Sequence, residues 1–260
     1  MKKIILSLII LSMAFTLGQN KMYIWKNSAI MDSMEITNDL KISFKTTTSI
    51  PTAGLVAYYP FNGNTNDESG NENHCTAENC TLTTDHFGNA NSAYFFNGSN
   101  SLISRAPISS MFSLSQMTLS AWVKTFKYIP DNPRIIAVGS TGTVEQNYSL
   151  IWHSCDSPFS PGAVTFYASN LNEVYSNKVL TADSTWHHIA VTYDRFYVTF
   201  YTDGVLDTTI AVNGNLVPLT DGILRIGNNY INNDPFNGVI DEVRIYNRAL
   251  NPAEVWSIAH

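Results

Sequence analysis

The chain has 260 residues, 44% of them hydrophobic and 14% charged, and its formal net charge is −6. A hydrophobic content of this size supports a packed core and excludes a disordered chain. The acidic balance argues against binding of nucleic acid through a basic surface, because such a surface needs clustered lysine and arginine. Tyrosine, phenylalanine, asparagine and threonine are abundant, so the composition favours strands and turns over helices.

The N-terminus has the features of a secretory signal peptide. Two lysines after the initiator methionine precede an apolar run over residues 4–17. Thr16 and Gly18 are the small residues expected before a cleavage site, and cleavage there makes Gln19 the new N-terminus. The run is too short for a membrane span. We therefore predict a signal peptide over residues 1–18 and a secreted, periplasmic or cell-surface protein with no integral membrane span after signal removal. An uncleaved membrane anchor is the alternative.

Two short segments precede the main domain. Residues 19–44 contain brief apolar–polar alternations, which predict two or three short strands. The segment is similar to a small β-rich element near the mature N-terminus of exported Bacteroidota proteins, although residues 39–44 keep that pattern only loosely. It is too small to hold a core alone. The polar residues 45–53, which include Pro51, predict a linker.

Residues 54–260 predict a single all-β domain, because many short alternating segments are separated by glycine, asparagine and proline turns. The predicted strands are at 54–59, 92–98, 117–126, 134–139, 148–153, 163–168, 185–194, 197–203, 205–212, 223–228 and in a closing strand from 236. One short C-terminal helix is expected, since Asn251 can cap it, Pro252 suits its first position and Glu254 completes a capping box.

The closing strand contains a carboxylate in an unusual position. Strict alternation places Asp241 on the same face as Val239, Val243 and Ile245. A carboxylate on a core-facing row is costly unless it is paired, hydrogen-bonded or bound to a metal. The oxygen-rich segment over residues 59–70 is a candidate partner through calcium, although asparagine, aspartate and glycine also dominate ordinary polar turns.

These two segments belong to a wider pattern that includes Trp-His-His-Ile-Ala-Val-Thr-Tyr-Asp at 186–194 and Tyr-Thr-Asp-Gly at 201–204. Over roughly residues 54–259 the chain resembles the LamG-like jelly-roll domain of the concanavalin A-like lectin/glucanase superfamily. The resemblance implies a two-sheet antiparallel jelly-roll sandwich with a structural calcium (Ca²⁺) near its first and last strands. Carried over by position, Asp67 and Asp241 are the expected carboxylate ligands, and Asn62 and Asn64 the expected sources of further oxygens.

The sequence contains three cysteines and does not decide whether two of them form a disulfide. Export makes a bridge chemically possible, and Cys75 and Cys80 could close a small loop if their Cα atoms come within about 7 Å. Cys155 is then left over, because cysteine parity alone does not choose the pairing.

Catalysis has little support in the sequence. Glycoside hydrolysis needs two carboxylates that flank one bond, and the alternating Glu-x-Asp-x-Glu strand of sandwich glucanases does not occur in this chain. Asp241 and Glu242 are adjacent and should face opposite sides of their strand. The neighbouring His187 and His188 should likewise point to opposite sides of their strand, so they cannot bind one metal together, and a structural role is expected for both. The two carboxylates of a hydrolase can also come from separate strands, so a glycoside hydrolase of this fold is the alternative.

We therefore expect an exported, non-catalytic binding or adhesion module. Its expected partner is a glycan or cell-surface glycoconjugate; a protein partner or a structural surface role is the other alternative, because fold does not choose among them. Sugars bind to aromatic faces and to amide, carboxylate and guanidinium groups, so Trp152, Tyr175 and Tyr230 are the candidate ligand-binding residues. The loop at 228–234 combines Tyr230 with several side-chain amides.

Overall fold

A computed structural model describes the strands within residues 12–35, and residues 49–105, 114–126, 132–140, 146–152, 162–171, 173–216, 222–229 and 234–260. The chain divides into two compact units, Met1–Ser49 and Ile50–His260. No helix in these ranges has both the length and the apolar character needed to cross a membrane.

The first unit is a three-stranded antiparallel sheet. Its strands, in spatial order, are β1 (Ser12–Phe15), β2 (Lys21–Lys26) and β3 (Ala29–Glu35). Strands β2 and β3 lie in the segment that the sequence predicts to be β-rich, whereas β1 lies within the predicted signal peptide. The alternation at 40–44 lies outside the described residues.

The second unit confirms the predicted all-β sandwich with one short C-terminal helix. Its elements are β4 (Leu55–Tyr59), β5 (Thr76–Glu78), β6 (Thr81–Thr83), β7 (Ala93–Asn97), β8 (Leu102–Arg105), β9 (Met117–Thr125), β10 (Arg134–Gly139), β11 (Gln146–Trp152), β12 (Ala163–Ala168), β13 (Val174–Val179), β14 (Trp186–Tyr193), β15 (Tyr197–Thr202), β16 (Val205–Ala211), β17 (Ile223–Ile226), β18 (Asn237–Tyr246) and α1 (Pro252–Ile258).

These strands form two antiparallel sheets. The seven-stranded sheet has the order β13-β12-β11-β10-β17-β8-β5, and the eight-stranded sheet contains β16-β15-β14-β9-β18-β7-β6 with β4 paired to β18. The main core contains residues of both sheets, such as Leu119 and Ile240 from one and Phe166 and Leu224 from the other. Each sheet therefore has one face toward the core and one outer face.

Alternation along β9 shows how the sequence sets these faces. Met117, Leu119, Ala121 and Val123 are fully buried in the core. Side chains of a strand alternate with a period of two. The outer face of β9 therefore presents the alternate residues Thr118, Ser120, Trp122 and Lys124.

Strand β18 departs from this rule at a β-bulge. Its pairing with β9 shifts in register between Asp241 and Arg244, and Glu242 has a φ of 52°. Ile240, Val243 and Ile245 all belong to the main core. The prediction that Asp241 shares a face with Val243 and Ile245 was wrong, because the extra residue of the bulge moves Asp241 to the outer face.

The terminal helix forms as the sequence predicts. The Asn251 side chain accepts hydrogen bonds from the backbone N–H groups of Ala253 and Glu254, and the Glu254 side chain accepts one from the Asn251 N–H. Val255 and Ile258 share a second apolar cluster with residues of β14, β15 and β18. The helix therefore covers part of the outer face of the eight-stranded sheet.

Gly238 in β18 should be essential for sheet pairing. A Cβ at this position would lie 2.1 Å from the Lys124 carbonyl oxygen, and the φ of 153° is unfavourable for other residues. We expect Gly238→Ala to lower the free energy of unfolding by roughly 2–4 kcal/mol. Gly63→Ala is the matched control: its φ is also positive but its Cβ meets nothing within 4 Å, so its cost should stay near 1 kcal/mol. Equal costs in urea denaturation would contradict the steric argument.

Candidate binding face

Asp67, the first predicted calcium ligand, is buried and fully hydrogen-bonded. Its Oδ1 accepts from the N–H groups of Tyr58 and Ser69, both at 2.9 Å. Its Oδ2 accepts from the Ser69 hydroxyl at 2.8 Å and from the Asn73 N–H at 2.9 Å. These donors fill the approximately four lone-pair positions of a carboxylate. Asp67 therefore ties the loop after β4 back to β4 itself.

Asn62 and Asn64 lie in an exposed turn nearby. The Asn64 side chain donates to the Asn62 carbonyl at 3.2 Å and accepts from the Asn66 N–H at 2.7 Å. These contacts close the turn on itself. They give both asparagines the ordinary role of asparagine in turns.

Asp241 has a different set of partners on the outer face of the eight-stranded sheet. A hydrogen bond joins its Oδ2 to Nδ1 of His86 at 3.0 Å, and its Oδ1 accepts from the Glu242 N–H at 2.8 Å. The His86 ring stacks on Trp122, with ring centroids 4.3 Å apart. Burial raises the pKa of Asp241 to about 6, and the hydrogen bond from His86 only partly opposes this shift.

The four predicted ligands do not form a set that fits calcium. Among the residues that the structure describes, Asp67 and Asp241 share no hydrogen-bond partner, and protein donors already saturate the oxygens of Asp67. Across the described ranges there is no cluster of three or more His, Cys, Asp or Glu side chains able to hold a metal ion. Calcium therefore remains a prediction of the family resemblance alone.

The predicted disulfide is absent, since Cys75 and Cys80 are both free. Strand β5 lies between them, and an extended strand advances about 3.3 Å per residue, which disfavours a bridge between its two ends. Burial raises the pKa of the Cys80 thiol to about 11, so this thiol stays protonated near neutral pH. Cys155 lies outside the described residues.

Of the predicted ligand-binding residues, only Tyr175 is described on a surface. Trp152 is 2% exposed and belongs to the main core, so its role is packing. Trp152 is the last residue of β11 and precedes a long polar segment, so from the sequence it was taken for a residue of the loop. Tyr230 lies outside the described residues. Tyr175 is half-buried on the outer face of the seven-stranded sheet, where β13 forms the edge.

The two adjacent histidines diverge as predicted. His188 is fully buried, its ring meets Trp122 edge to face at 5.6 Å, and burial lowers its pKa to about 3. His187 is joined through Nδ1 to Asp203 at 3.1 Å. Both positions are structural rather than parts of one site.

The outer face around Tyr175 combines aromatic rings with hydrogen-bonding groups. Strand register places Tyr175, Thr165, Ile151 and Arg134 in one row across four strands. A neighbouring row runs from Tyr167 through Ser149 and Ala137 to Arg225. We call this region the Arg134 face and define it by Arg134, Thr165, Tyr167, Tyr175, Arg225 and Asp234.

The floor of the Arg134 face contains polar atoms without a partner. The hydroxyl of Thr165 and Nε of Arg134 are buried and make no hydrogen bond within the described part of the chain. Tyr167, Tyr175 and Arg225 around them are partly exposed. Buried polar atoms normally have a partner, so this floor is suited to a ligand or water that supplies one.

The polar groups on this face are held in place by one another. Arg134 Nη2 lies 3.3 Å from Asp234 Oδ2, and Nη1 donates to the Asn132 carbonyl at 3.0 Å. The Asn229 side chain also donates to Asp234, at 2.6 Å. At the edge, the Tyr175 hydroxyl donates to Glu173 at 2.6 Å. Guanidinium, carboxylate and phenol groups are thus fixed beside the unpartnered floor.

Sequence reasoning identified Tyr175 and the loop with Asn229 and Asp234, but it missed Arg134, Thr165 and Tyr167. The alternation of β12 could have indicated the last two, because Val164, Phe166 and Ala168 face the core. No sequence signal joins Arg134 to Asp234, which lie about 100 residues apart along the chain.

A family model described as the concanavalin A-like lectin/glucanases superfamily matches residues 96–256, more than half of the chain. No curated protein sequence matches significantly.

Solved structures resemble the fold at low sequence identity. Domain 4 of AbnA, a GH43 extracellular arabinanase from Geobacillus stearothermophilus solved with arabinotriose, has a TM-score of 0.63 and 22% identity, covering 79% of this chain and 98% of that domain. The binding domain of Paraclostridial Mosquitocidal Protein 1 has a TM-score of 0.61 and 16% identity, and the match covers 80% of this chain and 52% of that one. Trypanosoma rangeli sialidase has a TM-score of 0.59 and 16% identity, and the match covers 81% of this chain and 33% of the sialidase chain. These similarities establish the fold.

Replacement of Asp67 tests the calcium prediction. Asp67→Asn places an NH₂ group against backbone donors, so we expect the free energy of unfolding to fall by about 2–4 kcal/mol. The loss should be equal with calcium and with chelator, because protein donors already occupy the carboxylate. Asn64→Ala is the control in the exposed turn and should cost under about 1 kcal/mol. Calcium-dependent melting that disappears in Asp67→Asn would restore the calcium site.

Asp241 should make stability depend on pH in a sense opposite to an ordinary ion pair. Its pKa is raised in the folded state, so its contribution is present below the unfolded value near 3.8 and is lost as pH rises through about 6. The unfolding free energy of the native chain relative to Asp241→Asn should therefore fall across this window, on the order of 2 kcal/mol. Urea denaturation from pH 4 to 7 measures it. A difference that grows with pH would show that pairing with His86 outweighs burial.

Proposed function

The chain belongs to the concanavalin A-like lectin/glucanase superfamily, and we propose that it is a non-catalytic carbohydrate-binding module that acts outside the cytoplasm. The observation that carries this proposal is the Arg134 face, where unpartnered polar atoms lie between partly exposed tyrosines. A structural neighbour in the superfamily fold was solved with arabinotriose, which supports a sugar as the ligand class. The charged and apolar start of the sequence supports export.

The chemistry of the face suits sugar hydroxyls. A hydroxyl both donates and accepts, so its chemistry matches the donor at Nε of the buried Arg134 side chain and the hydroxyl of buried Thr165. The rings of Tyr167 and Tyr175 supply apolar surface against which the C–H face of a sugar can pack. Ligand sites of this kind combine aromatic walls with a few fixed polar groups.

Preorganisation supports a recognition role. The ion pair of Arg134 with Asp234 and the hydrogen bond from Asn229 fix two planar groups before any ligand arrives. A face whose side chains are already ordered loses less conformational entropy on binding than a flexible one. The Tyr175 ring is held in the same way through its hydroxyl contact with Glu173.

The arrangement of carboxylates supports the absence of hydrolysis. Asp241 is joined to His86, whereas Glu242 accepts from the Tyr58 hydroxyl at 2.8 Å and pairs with Arg244. These adjacent residues therefore serve two separate contacts, which supports a structural role for both. On the Arg134 face, Asp234 is engaged by Arg134 and Asn229, which suits a carboxylate that positions other groups.

Calorimetric titration with neutral oligosaccharides, arabino-oligosaccharides first, tests the proposal. Tyr175→Ala should weaken binding by about tenfold or more, because loss of one stacking ring typically costs at least ~1.4 kcal/mol. Tyr197→Ala is the matched control, since Tyr197 is 49% exposed on the other sheet. Unchanged affinity in Tyr175→Ala would reject the Arg134 face. Release of reducing ends from the oligosaccharides would reject the non-catalytic assignment.

Cleavage of the predicted signal peptide is tested by the intact mass of the exported protein. A mass that does not match residues 19–260 would reject cleavage after Gly18.

A further inference from the structure

A second surface, on the outer face of the eight-stranded sheet, surrounds one lysine with aromatic rings. We call it the Lys124 surface and define it by Phe87, Phe95, Trp122, Lys124, Phe126 and Trp186. Strand register places Trp186 beside Lys124, Lys124 beside Val239, and Val239 beside Phe95 in a single row across four strands. The surface therefore spans the middle of the sheet and lies on the opposite side of the sandwich from the Arg134 face.

The lysine charge is held in place without being neutralised. The Lys124 ammonium lies 5.7 Å from the centroid of the Phe126 ring and 5.8 Å from that of Trp186. No ion pair within the described ranges joins Lys124 to a carboxylate. Cation–π contacts orient an ammonium group but leave its full positive charge available. This charge is a local feature, because the chain as a whole has a net charge of −6.

Two of the rings around the lysine are exposed and the others are partly exposed. Phe87 is 73% exposed and Phe126 is 40% exposed, and Phe95 lies 6.0 Å from Phe126 between ring centroids. Trp122 and Trp186 are partly exposed. Exposed aromatic rings that are grouped together are a feature of interaction surfaces.

Hydrogen bonds order the loop between β6 and β7 beside this surface. Asp85 accepts hydrogen bonds from the N–H groups of Phe87 and Asn89 and from the Asn89 side chain. The loop thereby holds His86 on Trp122 and Asp241, and the His86 ring also lies 6.2 Å from that of Trp186. A rigid aromatic surface loses little side-chain entropy when it binds a ligand.

We propose that the Lys124 surface binds an acidic sugar, a uronic acid residue of a polysaccharide. Its carboxylate pairs with the Lys124 ammonium, and its pyranose ring packs against Trp186 or Phe126. A neutral sugar would leave the charge of Lys124 unused, and a nucleic acid would require many more cations than this surface presents. The proposal is independent of the Arg134 face, because the two surfaces share no residue.

The test uses an oligogalacturonate and its methyl ester, which keeps the sugar rings and removes the charge. The acid should bind, with an affinity that falls as salt rises, and the ester should bind at least about tenfold more weakly. Lys124→Gln and Phe126→Ala should each weaken binding of the acid by a similar factor. Lys178→Gln is the matched control, because Lys178 is an exposed lysine at the edge of the other sheet. Thermal melting of each variant checks that the fold is retained.

Three results would overturn the proposal. The first is failure of both oligogalacturonate and oligomannuronate to bind, and the second is equal affinity for the acid and its ester. The third is loss of acid binding in Tyr175→Ala but not in Lys124→Gln, which would assign the acid to the Arg134 face. Loss of neutral-sugar binding in Tyr175→Ala leaves this test unaffected, so failure of one proposal is distinguishable from failure of the other.

Discussion

The structure depends on how β18 changes partners at its bulge. One edge of this strand pairs with β9 along most of its length, whereas the other pairs with β7 over Asn237–Ile240 and then with β4 from Val243 onward. The bulge lies between these two stretches. It lets one central strand serve two neighbours that arrive from different parts of the chain. The two bulge carboxylates then fasten both neighbours, Asp241 through His86 beyond β6 and Glu242 through Tyr58 of β4.

This junction concentrates buried charge on the outer face of the sheet. The Arg244 side chain is almost fully buried, pairs with Glu242, and lies 4.2 Å from the Tyr58 ring centroid. Near it, Ser120, His188 and Nε of Arg244 have buried polar atoms without a hydrogen-bond partner in the described structure. Buried polar groups of this kind are costly unless water or protein satisfies them. Such a junction adds little net stability, because a well-packed apolar replacement of buried charged groups is often equally stable.

The sequence predicts the parts of the fold that depend on local periodicity. The strands of the sandwich, their inward residues such as Leu119 and Val191, and the capping box at Asn251 all follow from spacing and residue type. The bulge at Glu242 could not be foreseen, since a single extra residue leaves no compositional mark yet reverses the facing of Asp241. Asp67 was predicted from the family resemblance as a calcium ligand, and in the structure its oxygens accept hydrogen bonds from nearby backbone N–H groups and the Ser69 hydroxyl. The Arg134 face required knowledge of register, because its residues come from distant segments.

The pairing of β18 also sets the order in which the domain can form. The central strand of the eight-stranded sheet is the last strand in the chain, and it closes against the first strand of the domain, where Asn247 N–H donates to the Gly54 carbonyl at 2.8 Å. Contacts across almost the entire domain length make folding slow, because the intervening loop must close first. The eight-stranded sheet therefore lacks its central strand until residues 237–246 join β4, β7 and β9.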